Sequence, residues 1–363
     1  MDNSSTSEKE MKVAVITDQH FGMRKGSRLF HEYFQKFYED IFFPTLEKEG
    51  IKTLIDMGDT FDNRRSIDLW SLEWAKTNYF DRLRDMGVTV YTVVGNHTAY
   101  YKNNNDVNSI QLLLREYPNM VLVRNHAEYT IGDTKCLFLG WMNDENKAKI
   151  KRKIKSSKAK VVFAHLELNG YSVYKGYTQD GGGCHGDAAI FQKFDKVYTG
   201  HYHTRSNDGK VFYLGNPYEM YWNDCEDTRG FHIWDSDTFE HTPIDNPYRL
   251  FYKLYYNDTP YQIFDATEYA GKIVKVIVQK RSNPKDFEKF IDKLHSVGVE
   301  DLKVIESADW NHGYIHSQDF NADEDENTIA LLNRFIEESE IDLDKNRVKK
   351  IIGGLYAKAC EVE

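Results

Sequence analysis

The chain has 363 residues, which corresponds to about two domains and an appended segment. Hydrophobic residues make up 40% and aromatic residues 14% of the sequence, so there is material for a packed core and a wholly disordered chain is excluded. The formal net charge of −10 argues against blanket electrostatic binding to nucleic acid but leaves room for a local basic groove.

No apolar run approaches the roughly 20 residues that a membrane-spanning helix needs, and the first ten residues contain no hydrophobic signal-peptide core. None of the four cysteines forms a C-x-x-C pair, and a chain of this length does not need disulfides for stability. We therefore expect a cytoplasmic protein that does not enter a membrane, with a disordered tail over residues 1–10.

Strand-like apolar runs alternate with helical segments along the first part of the chain. The runs are bounded by Gly or Asp, and they cover residues 12–17, 52–57, 88–94, 135–141, 160–164 and 196–199. Helical periodicity is found between them, at residues 29–49, 67–86 and 144–157. The alternation predicts an α/β sheet with helices on its faces, and short strands at 211–214 and 231–234 indicate an added antiparallel portion.

A second unit is predicted after a Pro-containing boundary at residues 245–248. A strand at 272–279, a helix at 284–297 and a strand at 302–307 predict a small β-α-β module. A polar, acidic linker over residues 312–327 follows it, and such a charge run usually stays solvated.

Two short helices are predicted at the end of the chain, over residues 328–363. Their apolar positions follow helical spacing, and they are Ile329, Leu332, Ile336, Val348, Ile351, Ile352 and Leu355. Each helix is too short to be stable alone. The pair is interpreted either as a hairpin that docks a partner protein or as helices that fold back onto their own domain, and both interpretations stay open.

Residues that can bind metal follow five of the predicted strands directly. They are Asp18 and His20, Asp59 and Asp62, Asn96 and His97, His165, and His201 and His203. Because the carboxyl ends of parallel strands open into one crevice, we expect these side chains to converge. In the D-x-H and H-x-H motifs, residues i and i+2 point to the same side, and neighbouring glycines let the backbone approach an ion closely.

The mixture of carboxylate, amide and imidazole groups favours Mn²⁺, Fe²⁺ or Zn²⁺ over Ca²⁺, and a set without cysteine is not that of a structural zinc site. The set is too large for one tetrahedral ion and suits two ions that share a bridging ligand. Two metals about 3.5–4 Å apart can activate water and brace both oxygens of an in-line phosphoryl displacement. One such motif alone is usually ordinary turn chemistry, but the ordered set is not expected by chance.

The ordered set resembles the calcineurin-like metallophosphoesterase superfamily. Within it, the chain resembles the SbcD-type nuclease subunits of double-strand-break repair complexes, particularly those of tailed phages. The narrower resemblance rests on V-V-G-N-H-T-A-Y-Y-K-N around His97, on H-L-E-L-N-G-Y-S-V-Y-K-G from His165 and on G-H-Y-H-T at 200–204. It implies a metallophosphoesterase β-sandwich flanked by helices over residues 11–247, a DNA-capping β-α-β domain over 248–311, and a helical hairpin over 328–363 that binds an ATPase.

The resemblance also implies roles for individual residues. One ion would be held by Asp18, His20, Asp59 and His203, and a second, bridged by Asp59, by Asn96, His165 and His201. His97 and Asp62 are the predicted catalytic residues, with His97 beside the scissile phosphate. Mn²⁺ is the implied metal and Mg²⁺ the alternative. The family usually reads G-N-H-D, whereas Thr98 stands here in place of the acid that would orient His97.

Nucleic acid is the implied substrate. Loop residues predicted to contact DNA are Arg64, Arg65, Lys102 and Lys175. The basic run at 147–160 is interpreted as a solvated helix face, with a phosphate-tracking surface as the alternative. The resemblance implies an SbcC-type coiled-coil ATPase as partner, in a heterotetramer that contains a homodimer of this chain and acts in DNA recombination, repair and degradation.

The leading hypothesis is a metal-dependent DNA nuclease, with exonuclease activity on duplex ends and endonuclease activity on single strands. The first alternative is a phosphatase or small phosphodiesterase of the same superfamily, which is disfavoured because Asn63 breaks the protein-phosphatase pattern G-D-x-x-D-R-G. The second alternative is a weakly catalytic scaffold that binds DNA ends, and Thr98 is the residue that keeps it open.

Overall fold

The computed structural model describes residues 11–281, 283–306, 336, 344–349 and 351–352. The predicted tail at 1–10, the linker at 312–327, and Ile329, Leu332 and Leu355 of the predicted hairpin lie outside these residues. The chain divides into two compact units between Arg249 and Leu250. Along the described residues, no helix has the length and apolar character needed to cross a membrane.

The first unit is built largely of short strands. In chain order they are β1 (Lys12–Ile16), β2 (Thr53–Asp56), β3 (Thr89–Val93), β4 (Met120–Val123), β5 (His126–Ile131), β6 (Thr134–Leu139), β7 (Val161–His165), β8 (Ser172–Tyr174), β9 (Tyr177–Thr178), β10 (Lys196–Gly200), β11 (Ser206–Asn207), β12 (Val211–Tyr213), β13 (Gly230–Asp235) and β14 (His241–Asp245). The predicted strands at 12–17, 52–57 and 88–94 form β1, β2 and β3, each trimmed by a residue or two.

Helices connect many of these strands. They are α1 (Met23–Gly26), α2 (Arg28–Phe37), α3 (Phe43–Glu49), α4 (Leu69–Ala75), α5 (Asp81–Asp85), α6 (Ser109–Leu113) and α7 (Lys147–Ser156). The π-helical turns Tyr38–Phe42 and Lys76–Phe80 join α2 to α3 and α4 to α5, so the predicted helices at 29–49 and 67–86 are composites of α and π turns. Short 3₁₀ turns lie at Ala188–Phe191 and Trp222–Asp224.

The strands form two large sheets and one small hairpin, β8-β9. The first sheet has the order β14-β13-β1-β2-β3-β4, with β1 to β4 parallel and β13 and β14 antiparallel. The second sheet has the order β11-β12-β10-β7-β6-β5, and its parallel strands are β6, β7, β10 and β12. The single sheet predicted from strand alternation is therefore wrong, and the sandwich implied by the family resemblance is confirmed.

The two sheets pack face to face through a shared apolar core. Val15 and Val93 of the first sheet and Phe163 of the second belong to this core. The ring of Tyr91 in β3 stacks on that of Phe138 in β6, with centroids 5.6 Å apart. Strands covered on both faces read as continuous apolar runs, so their sequence shows that they are buried but not which strands they pair with.

Helices cover the outer faces of both sheets. Ile150 and Ile154 of α7 are buried against the second sheet. On the first sheet, the ring of Phe42 contacts that of Phe231 in β13, with centroids 4.9 Å apart. The layers are therefore helix, sheet, sheet and helix, an α/β fold in which the carboxyl ends of the parallel strands remain open at one edge.

The second unit contains a parallel sheet of three strands, β15 (Phe251–Tyr255), β16 (Ile273–Val278) and β17 (Asp301–Glu306), in that order. Helix α8 (Pro284–Ser296) connects β16 to β17, and 3₁₀ turns lie at Tyr256–Asp258 and Thr267–Tyr269. The predicted strand–helix–strand elements form, but β15 was not predicted, because only Phe251 and Leu254 of its residues are buried and the period does not indicate a strand.

The core of the second unit lies between α8 and its sheet. Phe287, Phe290 and Leu294 of α8 pack against Val274 and Val276 of β16. The helix begins as its sequence predicts, because the Asn283 side chain accepts a hydrogen bond from the Lys285 N–H and Pro284 occupies the first turn.

Part of the predicted partner-binding set falls among the described residues. Ile336 is buried, Val348 and Ile352 are half-buried, and Ile351 is 55% exposed. These burials do not test whether the segment binds a partner, so the docking role stays a prediction.

Candidate metal centre

The loops that follow β1 and β2 run side by side at the open edge. The backbone N–H of Asp18 donates to the carbonyl of Gly58 at 3.0 Å, and that of His20 donates to the carbonyl of Asp59 at 2.9 Å. The side chain of Asp18 in turn accepts a hydrogen bond from the His201 N–H at 2.9 Å, which joins these loops to the end of β10 in the other sheet. The two sheets therefore share one polar centre.

The first group of possible metal ligands is Asp18, His20 and His203, whose ligand atoms all lie within 4.8 Å of one another. His20 Nδ1 lies 3.1 Å from the carboxylate of Asp62, to which it donates. His20 Nε2 is buried 3.9 Å from Asp18 Oδ1 and has no hydrogen-bond partner among the described residues. Buried polar atoms normally have a hydrogen-bond partner. A buried nitrogen without one is therefore well suited to bind a cation.

The second group is Asp59, His165 and His201, which meet the same distance criterion. Asn96 Oδ1 lies 2.9 Å from His165 Nε2 and 3.1 Å from His201 Nδ1, and Asp59 Oδ2 lies 3.1 Å from His165 Nε2. His165 Nδ1 donates to the carbonyl of Met57 at 2.8 Å. Nδ1 is therefore committed to this hydrogen bond, and Nε2 is the nitrogen that faces the other ligands, where a cation would take the place of its proton.

Two glycines are required where backbones approach these ligands. A Cβ on Gly58, whose φ is +100°, would lie 2.8 Å from His165 Nδ1. A Cβ on Gly200 would lie 2.7 Å from Asp18 Oδ2. Both distances are shorter than real Cβ contacts, so any side chain at these positions would displace a ligand.

Four of the predicted ligands have a left-handed backbone conformation, which is uncommon outside glycine. They are Asp18 (φ 52°), His20 (φ 50°), Asp59 (φ 50°) and His201 (φ 90°). Each such residue costs of order 1–3 kcal/mol and persists only where the surrounding structure imposes it. Strain of this kind is concentrated at functional sites, in agreement with the clustering of these side chains.

Charges in the centre are strongly coupled. Burial disfavours the charged form of Asp59, but His165 and His97 outweigh it and hold the pKa of that carboxyl well below its usual range. Burial also opposes protonation of His165, yet Asp59 raises its pKa to about 9. For His201 burial dominates and lowers the pKa far below its ordinary value, so its ring stays neutral and can bind a cation through a lone pair.

His97 lies beside the first group, with its ring centroid 4.8 Å from that of His20. Its Nδ1 donates to the backbone carbonyl of Asp62 at 2.6 Å, and its N–H donates to Asp59 Oδ1 at 2.8 Å. The Thr98 hydroxyl instead closes its own turn, because it donates to the Gly95 carbonyl and accepts from the Gly95 N–H. The orientation that the family pattern assigns to residue 98 thus comes from Asp62 in this chain.

Comparison with known proteins places this centre in a family. The chain matches the model of the calcineurin-like phosphoesterase family over residues 11–205. It belongs to that family. Exonuclease subunit 1 of Enterobacteria phage T4 is 30% identical to this phosphoesterase over 360 residues, which cover 97% of this chain and 100% of the relative. The resemblance predicted from the five loops is therefore confirmed.

Solved structures give weaker matches. An archaeal phosphodiesterase has a TM-score of 0.35 and 13% identity, covering 65% of this chain and 100% of its own. The nuclease MPE of Pseudomonas putida has a TM-score of 0.29 and 12% identity, covering 63% of this chain and 87% of its own. The family membership of the phosphoesterase rests on the sequence matches.

The predicted DNA-contacting residues fall into two environments. Arg64 is half-buried and interacts electrostatically with Asp59, so the structure brings it to the centre. Arg65, Lys102 and Lys175 are exposed on loops. Their contribution to DNA binding stays a prediction.

The basic run forms helix α7. Its apolar residues face the second sheet, while Lys149 and Lys151 are exposed and Lys153 pairs with Glu128 at 3.0 Å. This arrangement agrees with a solvated helix face and does not test the alternative.

Trp141 is a site residue that the sequence-based reasoning missed. Its ring centroid lies 4.9 Å from that of His201 and 5.8 Å from that of His165, so it packs against both rings of the second group. Its position in the sequence could have identified it, because Trp141 follows β6 closely and the predicted ligands likewise follow their strands.

A buried charged network behind His203 was also missed. Arg229 donates to the backbone carbonyl of His203 and to the side chain of Asn216, and it pairs with Asp224 at 3.1 Å. Asn216 Nδ2 lies 3.5 Å from His203 Nδ1. No local spacing predicts this network, because its members come from separate loops.

Asp56, the last residue of β2, supports the turn that carries Asp59. Its carboxylate accepts hydrogen bonds from the Thr60 hydroxyl at 2.7 Å and from the Gly58 N–H at 3.1 Å. Burial raises the pKa of Asp56 to about 7, although these hydrogen bonds oppose the shift. The phosphoesterase thus holds its ligand loop with a second, fully buried acid.

Proposed function

We propose that this phosphoesterase is a metal-dependent DNA nuclease, acting as an exonuclease on duplex ends and as an endonuclease on single strands. The observation that carries the proposal is the meeting of carboxylate, amide and imidazole groups from both sheets at one edge. The T4 relative, which aligns over 97% of this chain, is described as an exonuclease subunit and supports nuclease rather than phosphatase activity.

The two groups of ligands fit a pair of divalent cations. One would be held by Asp18, His20, Asp59 and His203, and the other by Asn96, His165 and His201 together with Asp59. The partnerless Nε2 of His20 and the committed Nδ1 of His165 support this assignment. The ligand types suit Mn²⁺, Fe²⁺ or Zn²⁺. The family resemblance favours Mn²⁺ among them, with Mg²⁺ as the alternative. Bound ions would stabilise charge on the phosphate and make a water molecule more acidic.

His97 is the proposed general acid. Because its Nδ1 donates to the Asp62 carbonyl, the proton that it can transfer resides on Nε2. In the imidazolium form, His97 would give this proton to the leaving oxygen of the scissile ester. Asp62 acts on both histidines, as it accepts from His20 through its carboxylate and from His97 through its carbonyl.

The hydrogen bonds of His97 argue against the alternative of a weakly catalytic scaffold that binds DNA ends. That alternative rested on Thr98, which cannot supply the charge of the usual acid. Since the Asp62 carbonyl orients the ring in this chain, Thr98 does not weaken the proposed role of His97. The catalytic reading is therefore favoured over a purely binding one.

We further propose DNA and an SbcC-type ATPase as partners. Arg64, Arg65, Lys102 and Lys175 would contact DNA, and the unit that begins at Leu250 would cap it. The apolar positions of the predicted hairpin, residues 328–363, would bind the ATPase, with a homodimer of this chain in the complex. The description of the T4 relative as a subunit supports an assembly of this kind, which would act in recombination and repair.

A nuclease assay with linear duplex DNA and Mn²⁺ tests the proposal. We expect the purified protein to degrade the DNA and the variants Asp59→Ala and His201→Ala to be inactive. Asp85→Ala and His126→Ala, at exposed positions, are the matched controls. Activity in both ligand variants would refute the nuclease. Hydrolysis of a chromogenic phosphomonoester without cleavage of DNA would establish the phosphatase alternative.

A further inference from the structure

A tight turn separates two neighbouring arginines after β2. The Asn63 side chain accepts hydrogen bonds from the Arg65 N–H at 2.8 Å and from the Ser66 N–H at 3.3 Å. This Asx turn fixes the backbone directly after Asp62, which contacts both His20 and His97. It leaves Arg65 exposed and turns Arg64 into a half-buried position.

The guanidinium of Arg64 is incompletely paired. Its Nη1 is buried and has no hydrogen-bond partner among the described residues, and Arg64 forms no ion pair with any of them. Leaving a buried donor without an acceptor is destabilising, and more so when the group is charged. Arginine is rarely buried unless it is paired, so the buried end of this half-buried side chain calls for an acceptor that the described residues do not supply.

The metal centre supplies a favourable charge that acts on Arg64, yet this charge is already engaged by other groups. Asp59 acts electrostatically on Arg64, which opposes the lowering of the Arg64 pKa by burial. Both oxygens of Asp59 have other partners, because Oδ1 accepts from the His97 N–H and Oδ2 lies 3.1 Å from His165 Nε2. Asp59 therefore attracts Arg64 electrostatically but does not form a salt bridge with it.

We propose that Arg64 is a catalytic residue that donates hydrogen bonds to the non-bridging oxygens of the scissile phosphodiester. The proposal rests on the proposed nuclease function and names the residue that binds its reacting group. A guanidinium presents donors in a planar fork that matches phosphate oxygens and keeps its charge throughout the reaction. Such a group stabilises charge that develops on the phosphoryl oxygens without transferring a proton.

The loop after β2 supplies charges of both signs. Asp62 accepts a hydrogen bond from His20 at 3.1 Å. Arg64, two residues later on the same loop, supplies a cation that can contact the substrate.

A chromogenic diester with a single phosphate, bis(4-nitrophenyl) phosphate, separates a role in the reaction from general binding of the DNA backbone. We expect Arg64→Gln to lower kcat on this substrate about 10²–10³-fold, the effect of losing one preorganised donor to a developing oxyanion. Arg115→Gln, which removes an exposed arginine that belongs to none of the proposed binding sets, is the control and should remain within about threefold of wild type. Arg64→Lys should retain part of the rate, because it keeps the charge but loses the fork.

Two further measurements exclude a purely structural effect. Calorimetric titration with Mn²⁺ should give the same affinity for Arg64→Gln as for wild type. Guanidinium chloride at non-denaturing concentration should partly restore the rate of Arg64→Ala, by supplying the missing cation. Wild-type rates on the small diester in Arg64→Gln would overturn the proposal, and weaker DNA binding in that case would identify a contact to a distant phosphate.

The outcome is distinguishable from failure of the nuclease proposal. If wild type cleaves the small diester but not DNA, the nuclease is refuted while the Arg64 variants still decide the inference. If wild type cleaves neither substrate, binding of inorganic phosphate to the Mn²⁺-loaded protein decides it. A tenfold or larger loss of phosphate affinity in Arg64→Gln supports the inference, and unchanged affinity overturns it.

Discussion

The two sheets of the first unit supply different chemistry to the metal centre. The first sheet provides every proposed oxygen ligand, since Asp18, Asp59 and Asn96 follow β1, β2 and β3. The second sheet provides imidazoles alone, and these are His165, His201 and His203. The centre therefore exists only when both sheets are packed together, and neither sheet could assemble it by itself.

The sheets also differ in how their histidines are held. His20 of the first sheet is oriented by a side chain, the carboxylate of Asp62 at 3.1 Å. His165 of the second sheet is oriented by a backbone carbonyl of the first, that of Met57 at 2.8 Å. The first sheet thus acts as the frame on which the imidazoles of the second are aligned. Interactions across the sandwich should matter for function as much as the ligands do.

The largest expected effect tests whether the first sheet supplies proton transfer as well as oxygen ligands. We expect His97→Gln to reduce kcat on DNA by about 10²–10⁴-fold, the usual contribution of a general acid. His97 also lies within 4.8 Å of His20 and Asp62 in a third possible group, but neither proposed ion is assigned to it, so Mn²⁺ affinity should be unchanged. Steady-state kinetics and calorimetry check both statements, with His126→Gln as the control. A loss of less than tenfold would contradict the assigned role.

The packing between the sheets can be weakened directly. Phe138→Ala removes a ring that stacks on Tyr91 of the opposite sheet, and it should cost about 3–5 kcal/mol of unfolding free energy. Phe194→Ala, on the helix-facing side of the second sheet, removes a ring of equal size. Urea unfolding should show similar losses for both variants, but only Phe138→Ala should weaken Mn²⁺ binding. Equal Mn²⁺ affinities would show that the centre tolerates movement between the sheets.

Substitutions of Asp62 test how the orientation of His20 affects metal binding. Asp62→Ala should weaken Mn²⁺ binding about 10–100-fold, the usual effect of losing a group that orients a metal-binding histidine. Asp62→Asn keeps an oxygen that accepts from His20 and should stay close to wild type. Calorimetric titration of both variants is the measurement. If Ala and Asn behave alike, the carboxylate acts through its charge rather than by fixing the tautomer.

The smallest effect concerns a hydrogen bond between the sheets that is remote from the ligands. His232 of β13 lies 3.1 Å from the carbonyl of Leu214, directly after β12, and donates to it through Nε2. Burial holds the pKa of His232 well below its ordinary value, and Arg205 and His241 lower it further. His232 is neutral in the folded protein. Its contribution to the unfolding free energy is therefore complete above the unfolded-state pKa of about 6.5 and is lost as the pH falls below that value.

Replacing His232 should therefore change how stability depends on pH. Below about pH 6.5, the unfolding free energy of His232→Gln should fall less steeply than that of wild type, by about 1.4 kcal/mol per pH unit. Urea unfolding at several pH values in EDTA measures this, with His126→Gln as the exposed control. Parallel curves for His232→Gln and wild type would show that another group is responsible.

The sequence predicted the convergence of these side chains for a specific reason. His165 and the residues after β1, β2, β3 and β10 stand at the carboxyl end of an apolar run, where the geometry of a parallel strand decides their position. Such a signal is local. The division into two sheets was not predictable from strand alternation, since the chain passes from β4 to β5 across only Arg124 and Asn125, and neither strand carries a local signal of the sheet that it joins.

Residues that act through others escaped prediction because their partners are distant in the chain. Arg229 contacts His203 and Asn216 only after the loops of the sandwich are closed. Trp141 carries no metal-binding group, so its position after β6 was not read as functional. The role of Thr98 was inferred from the family pattern, and its actual bonds to Gly95 depend on a turn that no single residue type specifies.

The left-handed ligands link the evolution of stability to that of activity. Glycine at position 20 or 201 would relieve a steric penalty of about 1–2 kcal/mol, more than the roughly 0.5–1 kcal/mol of chain entropy that it adds. Glycine at position 18 or 59 would also remove the carboxylate that accepts from the His201 or His97 N–H. A library screened for heat resistance alone would thus enrich glycine at positions 20 and 201 and yield robust, inactive proteins. Only a screen that also demands turnover would keep the native residues, and their survival in a thermostable descendant would record continuous selection for catalysis.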